Sequence, residues 1–321
     1  AVRSLIPLVA SLIRVGAVSE GLEMGRAEAW HAAAAWVRAH GGQVQGVAFD
    51  GARDGVQADG DLSVGSCVLR IPMRLCVTGR DARASPVGRA AKDAAAAVEA
   101  STAVEASTGV GASTLSRSTD DLVLAFHLAA DVARGPSAFH APYYATLPIG
   151  DDDPRCMLPR SWSDAELQSL LGGSPSVAEA HRARAAVRAD YAAVSESARK
   201  LAAHGALPDG WPSFEAFDWA TAIVSSRCFV LEEAANPSPN PSPSPTPKPN
   251  PDTDPSPDPS PSPTPNQAGG GGSIEALVPL VDMLNHARPR QVRLTPTSTL
   301  TLTLTLTPTL TLTTPDDLLR R

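Results

Sequence analysis

Cysteine and aromatic side chains are scarce in this chain, with 4 cysteines and 4% Phe, Trp and Tyr in 321 residues. Cys67, Cys76, Cys156 and Cys228 form no CxxC pair, and the histidines near them lack zinc-ligand spacing. That argues against a disulfide scaffold or a zinc ribbon. It points instead to reduced thiols in an intracellular compartment, plastid or cytoplasm. No apolar run reaches the roughly 18–20 residues that a membrane-spanning helix needs, so no membrane partner is expected. No block of Lys and Arg is present, and the formal net charge is -7, which speaks against a nucleic-acid partner. GxSxG, P-loop, HExxH and GxGxxG signatures are absent too. Nucleophile-elbow hydrolases, P-loop NTPases, HExxH metalloproteases and dinucleotide-binding folds therefore drop out.

What the chain has in quantity is proline, and it is unevenly spread: of 30 prolines, 14 fall between Pro237 and Pro265. Residues 236–266 are nearly strict X-Pro alternation and Gly269 to Gly272 follow, a composition that forms an extended, flexible linker over 236–273 rather than a packed element. Setting aside this block and the tail after His286 leaves roughly 250 residues of ordinary globular composition, enough for a sizeable core. The tail, 287–321, is Thr-Pro and Thr-Leu repetition. A period-2 strand is the rival reading of it, disfavoured because an uncovered Thr-Leu strand is an aggregation hazard. Asn-Pro and Thr-Leu are both frames of one tandem hexanucleotide, CCCTAA. Our hypothesis is that both blocks are translated repeat DNA, which a genomic sequence lacking that hexamer would contradict. Residues 4–13 are apolar and bracketed by Arg3 and Arg14. They read either as the remnant of a targeting segment or as a first buried element of the 1–26 extension.

Between these blocks the pattern is orderly. Residues 26–39 predict a helix, with Trp30, Ala33, Ala34 and Val37 on one face and Gly41-Gly42 as its stop. Short strands follow over 44–49 and 66–72, the second ended by Pro72. Within the 93–120 stretch, residues 93–114 are low-complexity with small side chains, VEAST occurring at 98–102 and again at 104–108. They read as an exposed insertion. Residues 121–134 predict a strongly amphipathic helix, and 162–171 one capped by Ser163 with Glu166 completing a capping box. A long Ala-rich helix over 177–204 is stopped by Gly205, and a further helix covers 214–230. Residues 274–286 are apolar and end in Asp282, Asn285 and His286.

Taken alone, that carboxylate, amide and imidazole read as a polar turn capping a strand, or as one side of a small-molecule site. Arg227, inside an apolar helix, reads alone as a salt-bridged or snorkelling arginine. Tyr143, Tyr144, His127 and His140 read as packed side chains. Cys228 shows no basic partner that would make it a catalytic thiol.

The order of these pieces resembles the SET-domain protein methyltransferases, in the branch typified by Rubisco large-subunit lysine methyltransferase. Six segments carry the resemblance over about 27–286. The leading helix ends in Gly41-Gly42. Asp54-Gly55-Val56-Gln57-Ala58, with Asp61-Leu62, Gly65 and Val68-Leu69-Arg70-Ile71-Pro72, is similar to the family's G-V-x-A hairpin, with Ser66 where glutamate is usual. Ser137, Pro142-Tyr143 and Leu147-Pro148 resemble S-x-W-x-P-Y-L-x-x-L-P. Trp162, Glu166-Leu167 and Leu170-Leu171-Gly172 resemble W-x-x-x-E-L-x-x-L-x-G. Phe217 to Ala220 with Ser226-Arg227-Cys228-Phe229 resembles F-x-W-A…S-R-x-F. Leu277 to His286 resembles L-V-P-L-x-D-M-x-N-H.

The resemblance implies an α+β fold of small SET-type β-sheets. Residues 27–92 would form its N-terminal part, 121–235 a helical insert and SET helix, and 274–286 a cofactor motif. It implies S-adenosylmethionine as cofactor and a protein substrate with an acceptor lysine (histidine in some relatives). Gly55, Val56 and Ala58 would offer backbone groups to the cofactor, and Arg227 would neutralise its carboxylate. Asp282 joins that set, and Asn285 and His286 would hold the amino-acid and adenine ends. The family's catalytic tyrosine follows its Asn-His motif. Here 35 residues follow His286 and all three tyrosines precede it. No catalytic residue is therefore assigned, and the knot strand and substrate-binding domain of the family are expected to be missing. A non-catalytic SET remnant acting as a protein-binding module is the alternative expectation.

Overall fold

The computed structural model describes residues 25–50, 55–63, 65–108, 115–148, 158–202, 205–232, 273–284, 292–297 and 301–306. Asp54, Asn285, His286, the apolar N-terminal segment and the proline block lie outside the described residues.

Helix α1 (Arg26–Ala39) buries Trp30, Ala33, Ala34 and Val37 as their spacing predicts, and Gly41 turns the chain at φ 78°. Glycine is also needed at position 42, where a Cβ would lie 2.5 Å from Val37 Cγ1 and 2.8 Å from the Arg70 carbonyl oxygen. Strands β1 (Gln43–Val44), β2 (Val47–Asp50), β3 (Gly55–Ala58) and β4 (Cys67–Pro72) follow. β2 and β3 form a separate antiparallel hairpin, β2 packing against α1. β5 (Val77–Thr78) then leads into α2 (Gly79–Ala84), which Thr78 caps by accepting from the Asp81 amide at 3.1 Å.

The helical part consists of α3 (Pro86–Thr108), α4 (Thr119–Val132), α5 (Ala141–Tyr144), α6 (Asp164–Leu171), α7 (Pro175–Leu201) and α8 (Phe214–Arg227). α6 starts with the anticipated capping box: the Ser163 hydroxyl accepts from the Glu166 amide, and the Glu166 carboxylate accepts from the Ser163 amide. α3 departs from the reading of 93–114 as an exposed insertion. Within it Ala94 and Ala95 are buried as α3 packs along α4 and α7, while Asp93, Ala96, Glu99, Ala100 and Ser101 are exposed as expected. Alanine has the highest helix propensity, and its lack of bulk lets neighbouring helices approach closely. Phe126 on α4 is the hub of this layer. Its ring centroid lies 4.4 Å from Phe217, 4.7 Å from Trp211 and 6.0 Å from Tyr191.

α8 stops at Arg227, three residues short of the 214–230 expectation, because Cys228 turns extended and opens β6 (Cys228–Glu232). Phe229 and Val230 are β-formers, and β7 (Ser273–Leu277) gives them a ladder to join. β5, β7 and β6 form one antiparallel sheet with β7 central. The last strands are β8 (Val292–Thr297) and β9 (Thr301–Leu306), so the disfavoured strand reading of the Thr-Leu tail is the one adopted. β9 lies between β4 and β8 in a four-stranded sheet, with Ile71 opposite Leu302. Both of its backbone edges are paired, which answers the aggregation objection. Among the described residues no helix is long and apolar enough to cross a membrane.

A buried polar cluster joins α4 to α5. Asp131 accepts from the Tyr144 hydroxyl at 2.8 Å and from Arg134 at 2.9 Å, with His140 Nδ1 at 3.7 Å. Burial pushes its carboxyl up. The His140 and Tyr144 donors, with the positive charge of His127 and Arg134, more than offset this and hold it at about 2. A folded value below the unfolded one, near 3.8, means stability that is present above pH 4 and lost as pH falls toward 2. Asp131→Asn is expected to cost roughly 2 kcal/mol at pH 7 and almost nothing near pH 2. Urea unfolding of both proteins at the two pH values checks this, and an equal loss at both contradicts it.

Candidate functional site

The β6–β7 register decides where the charged residues meet. Cys228 pairs with Leu277, so Arg227 and Val278 sit at the same end of the sheet. Pro279 then leads into Leu280, a buried non-glycine residue at φ 66°, and the chain doubles back through a 3-10 turn over Val281–Met283. Left-handed backbone at leucine costs about 1–2 kcal/mol and persists only where surrounding contacts impose it, as functional sites often do. Here its consequence is to swing Asp282 back beneath the end of α8.

The Asp282 side chain is fully enclosed, with 0% of its surface exposed, and that of Arg227 is 10% exposed. Arg227 Nη1 donates to Asp282 Oδ2 at 3.1 Å and to the Asp282 carbonyl oxygen at 3.2 Å. Tyr143, a fully buried residue of α5, donates its hydroxyl to the same Oδ2 at 3.1 Å. Trp219 Nε1 ties α8 to the segment after α5 by donating to the Pro148 carbonyl at 2.7 Å.

Two capacities remain after these bonds. Asp282 Oδ1 is buried without a hydrogen-bond partner among the described residues. Both bonds of Arg227 come from Nη1, leaving Nε and Nη2 without a hydrogen bond among the described residues. That edge of a guanidinium presents two parallel donors, the arrangement that matches a carboxylate. An orphaned buried acceptor costs free energy and calls for a physical explanation.

The electrostatics follow from burial. Desolvation pushes the Asp282 carboxyl above its ordinary value, and Arg227 and Tyr143 pull against it. The Tyr143 hydroxyl is raised well above 10 by burial and by the Asp282 charge beside it, so it acts as a donor and not as a base. Next to Arg227, burial and then Glu275 push the Cys228 thiol up to about 12. It stays protonated at neutral pH and is a poor nucleophile.

Of the residues singled out in the sequence, Arg227 and Asp282 are brought together by direct contact. Gly55, Val56 and Ala58 form β3, paired to β2 with Gly55 opposite Asp50 and Val56 opposite Phe49. Asn285 and His286 are outside the described residues. Tyr143, read from the sequence as a packed ring, is missing from the predicted set although its hydroxyl completes the pair. The signal that marks it is position: it stands in one of the six family-like segments, within Pro142-Tyr143. Among the described residues no group of three or more His, Cys, Asp and Glu is placed to hold a metal ion.

No protein-family model matches the chain, and no curated protein does. Solved structures do. The crystal structure of the SET domain of LSMT bound to lysine and AdoHcy superposes with a TM-score of 0.53 at 17% identity, covering 87% of this chain and 50% of that one. The structure of Rubisco LSMT bound to AdoMet gives a TM-score of 0.52 at 18% identity, covering 88% and 49%. The chain therefore spans about half the length of these structures. Likeness at this identity shows the fold: mixed helices and small antiparallel sheets of the SET type, as the ordered segments of the sequence imply.

Proposed function

We propose that the chain binds S-adenosylmethionine at the Arg227–Asp282 pair and serves transfer of its methyl group to a side-chain amine of a protein, lysine by preference. The observation that carries this reading is the enclosed ion pair with an open guanidinium edge and an orphaned carboxylate oxygen, at the turn after β7 of a SET-type fold. The matched structures are described as bound to AdoMet, to AdoHcy and to lysine, which supports the same ligand class here.

The donor set fits the amino-acid end of that cofactor. Arg227, the partly exposed member of the pair, would hold its carboxylate through Nε and Nη2, while the enclosed Asp282 would keep the guanidinium in place. The bound group would supply an electrophilic methyl on a sulfonium. This chain's residues contribute orientation and electrostatics, with Asp282 fixing the arginine and Tyr143 fixing Asp282. An acceptor lysine must lose a proton before attack, and Tyr143 is not the group that takes it, since burial holds its hydroxyl protonated.

The test is transfer of labelled methyl from S-adenosylmethionine to a protein mixture, followed by hydrolysis and amino-acid analysis. N-methyl-lysine that depends on the folded chain supports the proposal. No transfer, with no cofactor bound, rejects it and favours a non-catalytic protein-binding module.

A further inference from the structure

We infer that Tyr143 is a positioning residue of this site: by donating to Asp282 Oδ2 it holds the carboxylate that fixes Arg227, and so governs how tightly the site grips the carboxylate of its cofactor. The inference rests on the cofactor reading above. Its structural half concerns only the three side chains.

The geometry is specific. Tyr143 is 0% exposed and its hydroxyl has Asp282 as its acceptor at 3.1 Å. Its backbone is held by the following turn, where the Thr146 hydroxyl donates to the Tyr143 carbonyl at 2.7 Å. The same short helix carries Tyr144, whose hydroxyl goes the other way, to Asp131 at 2.8 Å. α5 therefore anchors one tyrosine in the polar cluster on α4 and aims its neighbour at the pair between α8 and the turn after β7. Arg227 and Asp282 come from segments 55 residues apart, and Tyr143 is 139 residues from Asp282. The site thus needs three separate elements in register, and Tyr143 is the contribution of the helical layer.

Among the described residues the charged and titratable groups facing Asp282 are Arg227 on α8 and Tyr143 on α5, while Tyr143 also faces Tyr144. Burial raises the Asp282 carboxyl, and donation from Tyr143 opposes that rise. Removing the hydroxyl should let the carboxyl rise further. The pair then neutralises at a higher pH, freeing Arg227 to move. A hydrogen bond to a charged group is worth enough to shift the carboxyl upward by about one pH unit or somewhat more.

Tyr143→Phe in the full chain keeps the ring and removes the donor. The Asp282 carboxyl is followed by carbon-13 NMR titration without cofactor, its signal assigned by loss in Asp282→Asn. S-adenosylmethionine affinity is measured in parallel by calorimetry at pH values on both sides of the carboxyl midpoint. The expected result is an upward shift of the carboxyl midpoint by about one pH unit. Binding should be weaker on the acid side of the shifted midpoint, by up to roughly tenfold, and should approach that of the unsubstituted chain on its alkaline side. A merely structural loss would weaken binding equally at all pH values and leave the midpoint in place, which overturns the inference. Should Tyr143→Phe not fold, 3-fluorotyrosine at position 143 gives a test of opposite sign. Its more acidic hydroxyl should lower the midpoint, and an unmoved midpoint overturns the inference. Absence of cofactor binding by the unsubstituted chain overturns the functional reading and is seen independently of the titration.

Discussion

Arg227→Ala should abolish saturable cofactor binding and destabilise the fold by about 3–5 kcal/mol at pH 8. The size of the effect comes from what is left behind. Asp282, whose side chain is 0% exposed, loses the only cation bonded to it among the described residues, and a buried charge without a partner is among the costliest defects a fold can carry. The variant can relieve it by taking up a proton at Asp282, whose carboxyl already lies above its ordinary value. A raised folded value means stability that is present at low pH and lost as pH rises through it, so the deficit should grow between pH 5 and pH 8. Arg227→Lys should restore part of the stability and little of the binding, because an ammonium cannot serve Asp282 and a ligand carboxylate together. Denaturant unfolding at the two pH values, with calorimetry on the folded fraction, reads both effects. A pH-independent loss below 1 kcal/mol would contradict the account.

Phe126→Ala is expected to cost about 3–5 kcal/mol through the cavity it opens. Phe126 is 0% exposed and lies within 6.0 Å, ring to ring, of Phe217, Trp211 and Tyr191. Two of those partners are themselves bonded. Trp211 Nε1 donates to the Ser195 hydroxyl at 3.1 Å and the Tyr191 hydroxyl donates to the Pro212 carbonyl at 2.9 Å, so neither can collapse freely into the gap. The loss should appear as a lower urea midpoint with the same slope. It should also weaken cofactor binding only in proportion to the unfolded fraction, since Phe126 packs against Phe217, Trp211 and Tyr191 and is outside the Arg227–Asp282–Tyr143 hydrogen-bond set. A loss below 1 kcal/mol would mean that the aromatic cluster is not the centre of the helical layer.

Local features of this chain are legible in its sequence because they depend on neighbours only a few residues away. The face of α1, the capping box of α6 and the stop of β4 at Pro72 belong to this class. Features that depend on a distant partner are not. The 93–114 stretch reads as exposed because alanine gives no amphipathic contrast. The burial of Ala94 and Ala95 within it becomes visible only when α4 and α7 are in place. The Thr-Leu tail reads as a hazard because nothing in it announces β4 as the strand that receives it. Cys228 to Val230 read as the end of a helix because β7, which draws them into a sheet, lies more than 40 residues on, beyond the proline block.

The site divides along the same line. Arg227 and Asp282 are recognisable as chemistry-bearing residues from the six ordered segments, yet their contact depends on the Cys228–Leu277 register and the left-handed Leu280. Leucine carries no sequence mark of that conformation. Tyr143 is harder still, because a tyrosine in an apolar connection is more often a packed ring than a donor to a carboxylate, and only the folded arrangement distinguishes the two.

The most direct test of the central claim is calorimetric titration of the folded chain with S-adenosylmethionine, with Arg227→Ala as the control. The account predicts saturable binding at one site per chain, lost in the variant and competed by S-adenosylhomocysteine. A chain that unfolds cooperatively and yet takes up no S-adenosylmethionine at millimolar concentration would contradict it, leaving the Arg227–Asp282–Tyr143 cluster as a structural clamp in a SET-type fold.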